Sequence, residues 1–279
     1  MTDQGTVAAC EPLAHVAYLY DGTLEGLLSC VFEAYVRRER PEDLLEDGCY
    51  QPRLGQSTVF VDTSMERAER VRKGIVREAG RRAFGAVAHA FAVDDPGKGA
   101  VIYEFIRAAM DRGSGRNRRY CIMDDLADPS VAPLVALSRY AANEAERLRQ
   151  FARFSHLSNG VWFARCNPSA SVVPFVMPNF AARFNIQPFI VYDEVHRLAG
   201  VYDGNSWYLV HDEISQVPGD AEGDRYAQAL WQRFYDAVTI EARYNPELRR
   251  NFMPVRLWKH LPEMRPRESA MTLRTSGGM

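Results

Sequence analysis

Two histidines that stand beside carboxylates are the first residues of this chain that could do chemistry. Asp193-Glu194-Val195-His196 and His211-Asp212-Glu213 each hold an imidazole within three positions of an acid. Such an imidazole can take or give a proton near neutral pH, or ligate a metal. Asp193, His196, His211 and Asp212 are therefore the candidate catalytic residues. A metal needs three or four convergent side chains, and the spacing supplies no such set. Neither a metal nor any other cofactor is expected. A histidine next to an acid at a strand end also occurs commonly without any role.

The second chemistry is the holding of a polyanion. From Leu248 to Pro262 basic and aromatic residues interleave, and residues 243–267 carry seven basic residues against two acids. Arg249, Arg250, Arg256 and Lys259 would contact phosphates and Trp258 would stack on a base. The alternative is a tail whose Phe252, Leu257 and Trp258 pin it to a sheet. Gly113 to Arg119 sets glycine-flanked backbone amides beside Arg116, Arg118 and Arg119, a second phosphate-binding candidate; a solvated loop explains the same residues. Gly97-Lys98-Gly99 lacks the remaining residues of a phosphate loop. Ser158 and Ser206 lie by turns without a nucleophile-elbow context. Glu42-Asp43 and Asp124-Asp125 read as solvated acids.

These residues need a scaffold, and the clearest one runs from Phe151 to His211. Ser158-Asn159-Gly160 and Asp203-Gly204-Asn205 each separate two β-rich runs, and turns of this kind call for positive φ. With Pro188–Tyr192 as a further strand, the pattern predicts one antiparallel sheet of about four or five strands. Earlier, His15–Tyr20 and Ser57–Val61 read as strands. Leu24, Leu27, Leu28, Val31, Phe32 and Tyr35 make a helical stripe, capped by Thr23 and ending at Arg40-Pro41. Thr63-Ser64-Met65-Glu66 has capping-box spacing. Further stripes run from Met65, Phe84 and Ile102, and Asp128-Pro129 opens a long helix. Pro174–Phe184 reads as a short helix, and Tyr226, Leu230, Phe234, Ala237 and Val238 mark the last long one.

The fold class is thus α+β, with flanking helices and an N-terminal strand-helix lobe. Residues 1–120 would form that lobe, 121–265 a helix-plus-sheet domain and 266–279 a frayed tail. One continuous domain over 16–265 reads the same way.

Bulk properties narrow the class. The chain has 279 residues and a formal net charge of -2, so it is not a polycation. Only three of its 34 basic residues are lysines. That excess of arginine suits bidentate phosphate contacts, but codon usage is the preferred reading. The five cysteines contain no Cys-x-x-Cys pair, so they are expected to be reduced and buried. No apolar run reaches membrane-spanning length and no signal peptide is visible, so a cytoplasmic location without membrane contact is expected. Charge is segregated: residues 1–50 hold ten acids and three arginines.

Several segments resemble one family. Tyr20-Asp21-Gly22-Thr23-Leu24-Glu25-Gly26-Leu27-Leu28 followed by Val31-Phe32-Glu33-Ala34-Tyr35 is similar to the N-terminal signature of a bacterial domain-of-unknown-function family named for DNA repair or DNA metabolism. Arg153-Phe154 to Trp162, Tyr202-Asp203-Gly204, Asn245-Pro246, and Phe252-Met253-Pro254-x-Arg256-x-Trp258-Lys259-His260-Leu261-Pro262-Glu263 resemble its later segments in order and rough spacing. The resemblance runs from about Val16 to Met264. It implies a DNA-related role beside a radical-SAM protein as partner. A similar region occurs fused to uracil-DNA-glycosylase-type domains, and this chain resembles the stand-alone form. No catalytic residue is carried over. The expected function is a DNA-binding accessory factor. The alternatives are an enzyme acting on damaged nucleic acid and a protein-interaction module without DNA contact.

Overall fold

The computed structural model describes residues 15–51, 53–113, 122–211, 222–238 and 245–264. The chain divides into two compact units, between Ala141 and Ala142.

In the first unit β1 (Val16–Tyr20), β2 (Asp43–Glu46) and β3 (Ser57–Phe60) form a parallel sheet with β1 in the middle. All five residues of β1 are buried. A continuous apolar run is what a strand covered on both faces requires. Four helices accompany the sheet: α1 (Leu24–Arg37), α2 (Met65–Ala79), α3 (Arg81–Phe91) and α4 (Lys98–Gly113). Thr23 caps α1, its hydroxyl accepting from the Gly26 N–H at 2.9 Å. The helix stops before Arg40-Pro41, because Arg38 turns left-handed (φ 57°) and its N–H closes on the carbonyls of Ala34 and Tyr35. The cap of α2 is Ser64 rather than Thr63, and it accepts from the Arg67 N–H at 3.4 Å. Gly99 lets α4 lie directly on β2, since a Cβ there would stand 2.0 Å from the Leu44 carbonyl oxygen. Tyr18, Tyr20, Leu27, Ile75, Phe105 and Leu134 are the centre of this unit's core.

The strand β2 departs from the expectation of a solvated Glu42-Asp43 pair. Asp43 begins the strand and accepts from Arg53 at 3.1 Å and Gln56 at 3.0 Å. A four-residue strand with acids at both ends shows no period-2 pattern to read.

The long helix α5 (Ala132–Phe151) contains the division between the units. It starts three residues after Pro129. The Asp128 carboxylate takes the N–H of Ser130 at 2.7 Å and its hydroxyl at 2.5 Å, forming a turn before the helix.

The second unit holds β4 (Ser155–His156), β5 (Trp162–Cys166), β6 (Phe189–Asp193), β7 (Leu198–Tyr202) and β8 (Trp207–His211), one sheet in sequence order. Three of its pairings are antiparallel, as expected. The β5–β6 pair is parallel, because α6 (Val173–Arg183) intervenes and returns the chain to the starting end of the sheet. Both hairpins lie where the turn signals put them, with positive φ at Gly160 and Gly204. Their other turn residues keep negative φ. In the β7–β8 turn the Asp203 carboxylate accepts from the N–H groups of Asn205 and Ser206, at 2.8 Å each, and closes a longer loop.

One face of this sheet packs Phe189 edge-to-face against Phe180 and Phe154. Leu157, Phe163, Tyr192 and Ala199 cluster on the other. The helix α7 (Glu222–Val238) is tied to β4 by Asp224, which is buried and accepts from the His156 N–H at 3.0 Å. Leu230 and Phe234 of its apolar stripe are exposed rather than buried. After α8 (Pro246–Phe252), capped by Asn245, the chain runs through 3-10 turns at Val255–His260 and Pro262–Met264. Phe252 is exposed and pins nothing. No described helix is long and apolar enough to cross a membrane.

Candidate nucleic-acid interface

The parallel pair β5–β6 decides which side chains meet. Parallel strands end on the same side of a sheet, so Arg165 and Cys166 at the end of β5 stand beside Asp193 and Glu194 at the end of β6. The Glu194 N–H donates to the Cys166 carbonyl at 3.0 Å. Helix α5 adds Glu144 and Arg147, and the turn Val255–His260 adds Arg256, Lys259 and His260.

Two carboxylates organise these cations. Glu144, with its side chain 2% exposed, accepts from Arg256 at 2.5 Å, from Arg147, and from the Ser169 N–H at 3.1 Å. Burial works against its ionisation, yet the hydrogen bonds from Arg256, Ser169 and Arg147 hold its carboxyl below the usual range. Asn167 fastens the same turn by donating to the Arg256 carbonyl at 2.9 Å. Glu194 accepts from Lys259 at 2.6 Å and Arg165 at 3.3 Å, and lies 3.3 Å from His260 Nε2. Burial again opposes ionisation, and the Lys259 hydrogen bond with the charges of His260, Lys259 and Arg165 keeps the carboxyl low. Glu144, Arg147, Phe151, Arg165, Leu257 and His260 line one pocket. Cys166 also borders it, but burial pushes its thiol far up and it donates to the Tyr192 carbonyl at 3.2 Å. It is no nucleophile in this state.

Arg256 and Lys259, both expected at a phosphate, pair with these two acids at the border of the pocket without lining it. Arg256 is half-buried on Glu144, whereas Lys259 remains exposed. Trp258 is half-buried; its indole N–H donates to the Met253 carbonyl at 3.0 Å and Arg249 lies over its ring at 4.9 Å. Arg250 points to solvent, with no ion-pair partner among the described residues. Asp193 is fully buried, and its carboxylate caps the β6–β7 turn through the N–H groups of Val195 at 2.9 Å and His196 at 3.2 Å. Its second oxygen meets His196 Nδ1 at 2.5 Å. His211 is on β8, two strands from Asp193 across the register Asp193↔Leu198↔His211. That is a separation of about 10 Å, too far for the two side chains to meet. Asp212, Arg116, Arg118 and Arg119 lie outside the described residues. Among the described residues no group of three or more His, Cys, Asp or Glu could hold a metal ion.

Sequence reasoning missed Arg147, Arg165, His260 and Glu144, and met Glu194 only as part of the Asp193-Glu194-Val195-His196 group. One signal was present: Arg165 is the single charge in the apolar run Trp162–Cys166, which marks a strand end open to solvent.

The domain of unknown function DUF4130 matches residues 96–263, more than half of the chain. No curated protein sequence matches it. Among solved structures, the pGpG-specific phosphodiesterase PggH from Vibrio cholerae is similar at 11% identity and a TM-score of 0.31. That likeness covers 80% of this chain and 99% of that one.

Proposed function

Since this chain belongs to the DUF4130 family, which is defined without a function, we propose a function from its side chains: the cleft at the ends of β5 and β6 binds the phosphate backbone of nucleic acid. The protein would serve DNA repair or DNA metabolism as a DNA-binding accessory factor, beside the radical-SAM partner that the sequence resemblance implies. One observation carries the reading. Arg147, Arg165, Arg256 and Lys259 pair with two carboxylates, Glu144 and Glu194, in a chain that is acidic as a whole.

Magnitudes favour exchange of partners at Glu194. The Arg165 and Lys259 side chains are 44% and 54% exposed, and exposed ion pairs contribute only about 0–1 kcal/mol. A phosphate that recruits either cation therefore displaces little, while it releases a condensed counterion. Glu144 is the opposite case: its buried hydrogen bonds hold the turn in place and stay made.

The test is the affinity for short duplex and single-stranded DNA across a salt series. Arg165→Ala with Lys259→Ala is expected to flatten the log–log slope on duplex by up to about 0.9 for each phosphate left without its cation. Glu194→Gln is expected to tighten binding, since it frees the same two cations. Binding that ignores salt, or a Glu194→Gln protein that binds no better, defeats the proposal.

A further inference from the structure

Helix α7 carries an aromatic pair that its own unit does not bury. Trp231 is 41% exposed and Phe234 56% exposed. Their rings stand 5.8 Å apart between centroids, tilted by 35°. The spacing i, i+3 puts the two on one helix face. Trp231 is also held in place. Its indole N–H donates to Glu263 at 3.1 Å, and the Arg153 guanidinium lies over the ring at 5.7 Å. Arg153 is fixed in turn by Glu263 at 2.7 Å and by the Gln150 and Ala152 carbonyls at 3.2 and 3.3 Å. Gln232 on the next position donates to the Pro262 carbonyl at 2.6 Å. A large ring locked in orientation and still open to solvent is a platform, since its ordering is complete before anything binds.

The platform adjoins the cleft along two stretches of chain. Ala152 borders the pocket and Arg153 follows it directly; His260 lines the pocket and Glu263 stands three residues on. Exposed Arg233, with no ion-pair partner among the described residues, lies on the same helix.

We infer that Trp231 and Phe234 stack the unpaired bases of a single-stranded nucleic acid whose phosphates lie in the cleft. The inference rests on the phosphate-binding reading and narrows it. Bases in a continuous duplex present no free face, whereas every unpaired base presents one, so stacking selects single strands without selecting sequence. Charge complementarity favours this occupant over an apolar protein helix. The pocket that Ala152 and His260 border holds Arg147 and Arg165, and Glu263, the acid beside the indole, is already paired with Arg153.

The experiment compares three ligands of equal length on the intact protein: oligothymidine, the same strand with abasic sites throughout, and a duplex. The expected result for the wild type is tighter binding of oligothymidine than of the abasic strand, with quenched tryptophan fluorescence. Trp231→Ala and Phe234→Ala are each expected to weaken oligothymidine binding about five- to 150-fold for every base that no longer stacks. Neither should alter binding of the abasic strand or the duplex. Trp231→Phe should recover most of the loss, which a role in folding alone would not predict, and melting curves of all variants confirm that they fold. Equal, salt-dependent binding of oligothymidine and the abasic strand overturns the stacking inference and leaves the phosphate cleft standing. Absence of any salt-dependent binding overturns both. Self-association abolished by Trp231→Ala, without base-dependent binding, overturns the inference in favour of a second copy of the chain.

Discussion

At the scale of single residues, Glu144 is the side chain on which the cleft depends. It clamps the turn that carries Arg256 to helix α5, from inside the protein. Glu144→Gln removes the charge and leaves Arg256 and Arg147 beside a neutral amide, with an expected destabilisation of about 2–4 kcal/mol in denaturant unfolding. The pH dependence follows with a definite sign. The folded carboxyl titrates below its unfolded value, so its contribution is present above the ordinary glutamate range of about 4.3. It is lost as pH falls through the folded value. The wild-type unfolding midpoint should therefore drop on acidification in this window, and the drop should be shallower in Glu144→Gln. Composition alone drew attention to Arg256 and Lys259, because cations and aromatics interleave there. Their partners were not legible: Glu144 is 112 residues from Arg256 and Glu194 is 65 from Lys259. No local pattern encodes an ion pair across such a separation.

At the scale of elements, the hairpins and most helices could be read because their signals are local: a glycine needing positive φ, a hydroxyl three residues before the N–H it caps. The parallel pairing of β5 with β6 could not be read, since it depends on where α6 brings the chain back. The amphipathic stripe of α7 was visible, but not that part of it would remain open. Packing of α4 on β2 rests on Gly99, where the nearest atom to an added methyl is backbone and cannot move aside. Gly99→Ala is expected to cost about 1–3 kcal/mol from overpacking, despite alanine's better helix propensity. A thermal melt that shows the alanine protein as stable as the wild type would place α4 farther from β2 than the structure does.

At the scale of the whole molecule, the sign of the net charge and the sign of the working surface differ. The chain carries -2 at pH 7, yet the cleft of the second unit has four cations about two acids. Local potential rather than total charge sets attraction to a polyanion. The protein should thus be retained on a phosphate-bearing cation exchanger at pH 7 and low salt. A variant with Arg147, Arg165 and Lys259 replaced by alanine should pass straight through. Last, the sheet of the second unit ends at β8, whose five residues, Trp207 to His211, are all exposed and whose backbone pairs with β7 on one side only among the described strands. Natural proteins guard such borders with lysine, proline or a bulge, and none of these occurs within Trp207–His211. Concentrated stocks of the protein will consequently tend to grow by edge-to-edge stitching, so handling it dilute, or with a charge placed at Leu209, is the practical corollary.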